Sequence, residues 1–97
     1  MPRPRRSRSP VGPWAGLATA LAQRRHQLGM TQRTAADLSD LSEKAFRDIE
    51  SGKVAPRLGA LVAIAEALGL DLALISRSER PNLPPTTLII EKEEDLE

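Results

Sequence analysis

The side chains best suited to chemistry in this sequence are charged residues of one short segment: Glu43, Lys44, Arg47 and Asp48. Arginine or lysine can donate to O6 and N7 of guanine, and glutamate can accept from N4 of cytosine. Equally, Glu43 and Arg47 stand four residues apart, a spacing at which an ion pair stabilises an exposed helix. The residue types therefore fit both a surface that reads bases and a solvated helix face.

The rest of the composition argues against an enzyme, a metal site or a membrane protein. The chain contains one histidine and no cysteine, which excludes disulfides and thiolate ligands. It shows no nucleophile–base pair and no carboxylate cluster, so we expect no catalytic residue, metal or cofactor. Its apolar runs are far shorter than the roughly 20 residues of a membrane span. The basic start lacks a secretory apolar region, which predicts a cytoplasmic protein.

Charge is distributed unevenly along the 97 residues. Residues 1–13 carry four arginines and no acid, residues 14–77 carry eight basic and seven acidic side chains, and residues 78–97 carry two basic and six acidic ones. We predict a disordered basic arm at 1–13, one folded domain at 14–77 and an acidic tail at 78–97. The excess of charge at each end fits a binding partner of opposite charge, and it fits equally a solvated tail that keeps the protein soluble.

Apolar residues at helical spacing predict a helix at each end of the folded domain, at 14–28 and 57–67. A glycine follows each helix, as is common where helices end. The side chains expected to face the core are Trp14, Leu17, Leu21 and Leu28 from the first helix, and Leu58, Leu61, Val62, Ile64, Ala65 and Leu68 from the last. A small aliphatic core of this kind is commonly reinforced by oligomerisation.

Two shorter helices are predicted between these, separated by the residues SDLS. The first covers about 32–38 with Thr31 as its N-cap, and the second covers about 43–50 with Ser42 as its N-cap. In a helix, tight turn and helix arrangement, one helix braces across the DNA backbone while the next enters the major groove. The spacing therefore favours base reading over a purely structural role for the second of these helices.

Residues 30–70 resemble the helix-turn-helix of the Cro/CI and XRE-type regulators. The matching features are the Thr-Gln pair, Ala36, Ser42, the spacing of Phe46 and Ile49, and the motifs IESGK and IAEALGL. Asp40 stands where the family usually has glycine, and aspartate tolerates a left-handed backbone better than most residues. The resemblance implies a mainly α, lambda-repressor-like bundle of four to five helices.

The resemblance also implies roles for individual residues. Base-reading positions are Glu43, Lys44, Ala45 and Arg47, and phosphate-contacting positions are Thr31, Gln32, Ser42, Ser51, Lys53 and Arg57. Arg24 and Arg25 are further candidates for phosphate contacts, whereas Glu50 matches an acidic site that ties the helices together. The arginines of the arm resemble those that some DNA-binding proteins place in a minor groove.

After Gly69 the pattern changes to alternation, which predicts a strand, and a second strand-like stretch covers 86–92 beyond a loop. A helix that leads directly into such a strand is similar to the HipB-type antitoxins, in which the strand pairs with its twofold mate. This implies a homodimer and a HipA-type kinase toxin as partner. The dimerisation residues would be Leu68, Leu70, Leu72 and Leu74.

The expected function is a repressor that binds an inverted-repeat operator in double-stranded DNA. Within this class, the resemblance to HipB-type proteins implies the antitoxin of a type II toxin–antitoxin pair that autoregulates its operon. A phage-type or general XRE regulator without a toxin is the first alternative. The second is a protein-interaction module that has lost DNA reading, because residues 14–77 are nearly neutral and Asp40, Glu43 and Asp48 lie near the presumed DNA face.

Overall fold

The computed structural model describes residues 12–90, which contain four α-helices and one 3-10 helix. The helices are α1 (Ala15–Gln27), α2 (Gln32–Leu38), α3 (Glu43–Glu50) and α4 (Leu58–Ala67), followed by the 3-10 helix Arg77–Asn82. The four predicted α-helices and their helical bundle are confirmed, and each predicted end lies within one residue of the observed one. No helix in this part of the chain is both long and apolar enough to cross a membrane.

The turn between α2 and α3 is closed by two backbone hydrogen bonds. Asp40 N–H donates to the carbonyl of Asp37 at 3.2 Å, and Leu41 N–H donates to the carbonyl of Ala36 at 2.9 Å. This pair of bonds ends a helix when the residue after the C-cap is left-handed. Asp40 has φ 59°, as the sequence predicts, and it is the one non-glycine residue with positive φ within 12–90. The turn leaves only four residues between the end of α2 and the start of α3.

The core forms where α2 packs against α3 and α4, and α1 packs against α3. Its buried apolar residues are Leu17, Ala18, Leu21, Ala35, Ala36, Phe46, Ile49, Ile64, Ala65 and Leu68. Phe46, Ile64 and Leu68 are the largest fully buried side chains. Ala35 and Ala36 are completely buried, and their small size lets the neighbouring helices approach α2 closely.

Three apolar residues predicted to face the core are exposed instead. Leu28 is 42% exposed, Leu58 is 70% exposed and Val62 is 37% exposed. Leu28 is the C-cap of α1, and Leu58 is the first residue of α4. At Leu28 and Leu58 the apolar stripe therefore continues past the part of the helix that other helices cover, which periodicity alone does not reveal; Val62 is exposed within α4 itself.

Residues 70–76 follow α4 without regular secondary structure, and residues 12–90 contain no β-strand. The strand predicted at 70–74 requires a second chain as its pairing partner, so it remains a prediction. The strand-like stretch 86–92 is likewise irregular over 86–90, and its last two residues lie outside the described part. The predicted loop beyond residue 77 is wrong in one respect, because Arg77–Asn82 form the 3-10 helix.

The chain approaches α1 across the end of α3. Trp14 N–H donates to the carbonyl of Gly52 at 3.0 Å, which places residues 12–14 against the α3–α4 loop. Most of the predicted basic arm, residues 1–11, and the end of the predicted acidic tail, residues 91–97, lie outside the described residues.

Candidate nucleic-acid interface

The orientation of α3 is set by its cap and its inner face. Ser42 Oγ accepts a hydrogen bond from Ala45 N–H at 3.0 Å, which satisfies one of the free donors at the start of the helix. Phe46 is fully buried and Ile49 is 6% exposed. Because these two side chains hold one face of α3 in the core, the opposite face is directed to solvent.

Lys44 and Arg47 lie on this solvent face, with side chains 81% and 56% exposed. Lys44 Nζ lies 2.9 Å from Asp48 Oδ2, and Arg47 Nη2 lies 3.2 Å from Glu43 Oε2. The pair of Glu43 with Arg47 confirms the prediction from spacing. The same spacing joins Lys44 to Asp48, an ion pair that sequence reasoning missed.

Such exposed pairs stabilise a helix by only about 0.3–0.5 kcal/mol each. A good bidentate contact with a base contributes about 1–3 kcal/mol of discrimination. A base edge can therefore displace either carboxylate from its cation at small cost. Ala45, between these cations in sequence, is partly exposed and presents a methyl group on the same turn.

Behind this face, a buried ion pair joins α1 to α3. Arg25 Nε donates to Glu50 Oε2 at 2.8 Å, and Arg25 Nη2 donates to Glu50 Oε1 at 3.0 Å. The two side chains are 8% and 5% exposed. Arg25 Nη1 also donates to the carbonyl of Met30 at 2.9 Å. The predicted structural role of Glu50 is confirmed, whereas the predicted phosphate contact of Arg25 is wrong because its guanidinium is enclosed.

Gln32, at the start of α2, joins the same cluster. Its Nε2 donates to Glu50 Oε1 at 2.9 Å, which fixes the orientation of the half-buried side chain. A primary amide has two N–H donors, so one remains for a phosphate. Arg24, the neighbouring candidate, is directed elsewhere, because its Nε donates to the carbonyl of Leu68 at 2.8 Å and caps α4.

Two of the three predicted phosphate-contacting hydroxyls, those of Thr31 and Ser42, serve as N-caps. Thr31 Oγ1 accepts from Thr34 N–H at 3.0 Å and donates to Thr34 Oγ1 at 3.1 Å. Ser42 caps α3 in the same way, and its hydroxyl proton remains able to donate. Thr31 and Ser42 are exposed at the starts of the two helices that flank the turn.

The remaining predicted phosphate-contacting residues lie on the α3–α4 loop. Ser51 Oγ donates to the carbonyl of Asp48 and accepts from Lys53 N–H at 3.3 Å. Lys53 and Arg57 are exposed, and neither side chain forms an ion pair with any residue that the structure describes. Their charges are therefore available to an anion.

Comparison with known proteins identifies the unit that α1 to α4 form. A family model described as "Helix-turn-helix domain" matches residues 17–77, which is more than half of the chain. The chain belongs to this helix-turn-helix family. The predicted resemblance to XRE-type regulators is thereby confirmed at the level of the family.

Two curated relatives of this helix-turn-helix protein carry the same name. The HTH-type transcriptional regulator PuuR of Escherichia coli strain K12 is 37% identical over 76 residues, which are 75% of this chain and 41% of that regulator. PuuR of Shigella flexneri matches with the same identity and coverage. The chain thus spans about two fifths of the length of the curated relatives it matches.

In family terms, α2, the four-residue turn and α3 form the helix-turn-helix itself. The structure brings the predicted base-reading residues together on one face of α3 and places the loop residues Ser51 and Lys53 directly after it. Sequence reasoning missed the buried pair of Arg25 with Glu50, because a single charged residue on a helix gives no sign of which residue faces it across the core.

Proposed function

We propose that this protein is a sequence-specific DNA-binding transcriptional regulator whose α3 enters the major groove. The exposure of Lys44 and Arg47 on the outer face of a helix held by Phe46 and Ile49 carries this proposal. The name of the curated relatives, an HTH-type transcriptional regulator, supports the same class. The alternative function is a protein-interaction module that does not read DNA, and it is supported by the acidic residues beside these two cations.

In the proposed complex, each cation exchanges its internal carboxylate for a base edge. Lys44 and Arg47 donate to guanine, Glu43 accepts from cytosine and the methyl group of Ala45 packs against thymine. The phosphate contacts come from Thr31, Gln32, Ser42, Ser51, Lys53 and Arg57. These contacts fix the register of α3 without selecting a sequence.

The variant Arg47→Ala tests this proposal against a matched charge removal, Arg77→Ala, in the exposed 3-10 helix. Fluorescence anisotropy would compare the protein's own upstream DNA with a scrambled duplex at fixed salt. We expect Arg47→Ala to weaken binding to the upstream DNA by about 5- to 150-fold per half-site, equivalent to about 1–3 kcal/mol. Arg77→Ala should leave the preference for that DNA unchanged.

Two results would refute the proposal. In the first, the wild-type protein binds its upstream DNA no better than the scrambled duplex. In the second, Arg47→Ala and Arg77→Ala have equal effects on binding. If the Arg47→Ala variant still binds a protein partner and its DNA binding is unaltered, the protein is instead an interaction module.

We further propose that the regulator is a homodimer and a repressor of an inverted-repeat operator. Leu74 is completely exposed, Leu72 is 39% exposed and Ile75 is 47% exposed, which is unusual for apolar side chains that follow one another. Leu70 is half-buried against the core and leads into this stretch. Leu68 is fully buried in its own domain, so its predicted role in dimerisation is indirect.

Pairing of residues 70–74 with their twofold mates would set the two α3 helices to read half-sites about one helical turn, or roughly 34–36 Å, apart. Light scattering on Leu74→Asp tests this dimer, with Leu58→Asp as the control because Leu58 is 70% exposed on α4. We expect only Leu74→Asp to give a monomer. The proposed dimer would be contradicted if the wild-type protein is a monomer at micromolar concentration, or if both variants change the oligomeric state equally.

An antitoxin that holds a HipA-type kinase toxin is a second candidate, and one observation favours it. An open groove of about 410 Å³ is lined by residues 71–75, 77, 80, 83 and 87–90, and its apolar side chains include Leu74, Leu88 and Ile89. Such a surface suits a protein partner. Copurification with the product of an adjacent kinase-like gene, abolished in Ile89→Asp, would support this role, and failure to copurify would exclude it.

A further inference from the structure

The four charged side chains on the outer face of α3 form an ordered strip across that face. Successive residues of a helix are rotated by about 100°, so Lys44 and Arg47 lie about 60° apart around the axis. Glu43 lies about 40° beyond Arg47, and Asp48 lies about 40° beyond Lys44 on the other side. Each carboxylate is paired with the cation next to it, Glu43 at 3.2 Å and Asp48 at 2.9 Å. The charged strip therefore has two cations in the middle, an acid at each edge and no net charge.

The acidic edges of the charged strip make α3 a poor partner for phosphates. A helix with its side chains is about 10–12 Å across, and the major groove is about 12 Å wide, so the edges of the strip come closest to the walls of the groove. Phosphate oxygens and ionised carboxylates both accept hydrogen bonds and carry negative charge, so neither satisfies the other. Attraction to DNA of any sequence therefore comes from Lys53 and Arg57, whose exposed charges lie outside the strip.

Entry of α3 into the groove leaves Asp48 in need of a new partner. When Lys44 donates to guanine, it releases the Asp48 carboxylate, whose side chain is 48% exposed and open to the DNA. The hydrogen-bond donors on base edges in the major groove are N4 of cytosine and N6 of adenine, whereas N7, O6 and O4 are acceptors. A carboxylate that meets only acceptors in a desolvated interface weakens binding by roughly fivefold or more.

The spacing of the pair limits where the required amino group lies. Side chains four residues apart in a helix have Cβ atoms about 5–6 Å apart. Successive base pairs rise by about 3.4 Å. The amino group that replaces Lys44 as the partner of Asp48 must therefore lie within about two base pairs of the guanine that Lys44 contacts.

We propose that Asp48 is a specificity-determining residue that acts by exclusion. The inference rests on the proposed DNA-binding function and deepens it. On the operator, an amino group of a base takes the place of Lys44 beside Asp48. On other DNA, the carboxylate meets acceptors or phosphates, so it keeps Lys44 and opposes the entry of α3 into the groove. An unpaired charge that penalises the wrong partner is a common source of specificity.

The variant Asp48→Ala tests this inference, with Glu66→Ala as the matched control because Glu66 is an exposed acid on α4, outside the strip. Anisotropy would measure binding to the upstream and scrambled duplexes over a range of salt. We expect Asp48→Ala to strengthen binding to the scrambled duplex about fivefold relative to the upstream DNA. The slope of log K against log salt on the scrambled duplex should steepen by about 0.9, because Lys44 becomes free to neutralise one phosphate. Glu66→Ala should change neither quantity.

The part played by Lys44 is tested by making Asp48→Ala in a Lys44→Ala background. If Asp48 acts by holding Lys44, its removal steepens the salt slope on scrambled DNA only when Lys44 is present. A slope that steepens equally in both backgrounds would overturn the inference, because Asp48 would then act without Lys44.

The outcomes separate this inference from the proposed function. If the wild-type protein prefers its upstream DNA and Asp48→Ala keeps that preference, the inference is overturned and α3 remains the reading helix. Equal gains on both duplexes have the same meaning, because Asp48 would then act only through the net charge. A wild-type protein that shows no preference refutes the proposed function, and this inference with it.

Discussion

Replacing Glu50 with alanine is expected to lower the free energy of unfolding by about 3–5 kcal/mol. The Glu50 carboxylate receives two hydrogen bonds from Arg25, at 2.8 and 3.0 Å, and one from Gln32 at 2.9 Å. Without it, a guanidinium whose side chain is only 8% exposed would stay buried without a counter-charge. A domain of about 65 residues is stable by roughly 3–10 kcal/mol, so most of its stability would disappear.

Urea denaturation followed by far-UV circular dichroism measures this loss of stability. Asp48→Ala is the matched control, because it removes a carboxylate from an exposed pair and should change the free energy of unfolding by less than about 1 kcal/mol. The double variant Arg25→Met, Glu50→Leu should be far more stable than Glu50→Ala, since well-packed apolar residues can replace a buried ion pair.

Two results would refute this expectation. If the free energy of unfolding of Glu50→Ala lies within about 1 kcal/mol of the wild-type value, water reaches Arg25 and the guanidinium needs no counter-charge. If the double variant is as unstable as the single one, the cause is the change in packing volume and not an uncompensated charge.

Three further changes have defined outcomes. Ser42→Ala removes the hydroxyl that caps α3 and should destabilise the domain by about 0.5–2 kcal/mol in urea, whereas an unaltered midpoint would show that the cap is dispensable. Asp40→Gly should stabilise the fold by up to about 1 kcal/mol because φ is 59° there, and a lower melting temperature would argue against a strained turn. Asp48→Asn frees Lys44 and removes a negative charge from the proposed DNA face. Its affinity for duplex DNA should rise about fivefold in anisotropy measurements, and unchanged binding would place Lys44 away from the DNA.

Much of the fold follows from interactions between residues close together in the sequence. Thr31 and Ser42 cap helices by bonding to amides three residues ahead, and Asp40 accepts the left-handed turn within its own segment. Pairing of Glu43 with Arg47 follows from helical spacing alone. For this reason the four helices, the turn and the group of candidate base-reading residues on α3 were all predictable.

Packing between helices selects which of several similar residues are enclosed. Nothing local distinguishes Arg24 from Arg25, yet only Arg25 meets Glu50 in the interior, where α3 packs against α1. Leu58 continues an apolar stripe but is exposed, since none of the helices within residues 12–90 covers the start of α4.

Position 12 is a further case that only the folded molecule reveals. A Cβ atom at Gly12 would lie 2.9 Å from the carbonyl oxygen of Gly52, forty residues further along the chain, so this position requires glycine. The helices, their caps and the charged face of α3 can be derived from the linear order of residues, because they depend on neighbours within one or two turns. Burial and the Arg25–Glu50 pair emerge only in the folded molecule, because each depends on contacts between segments distant in sequence.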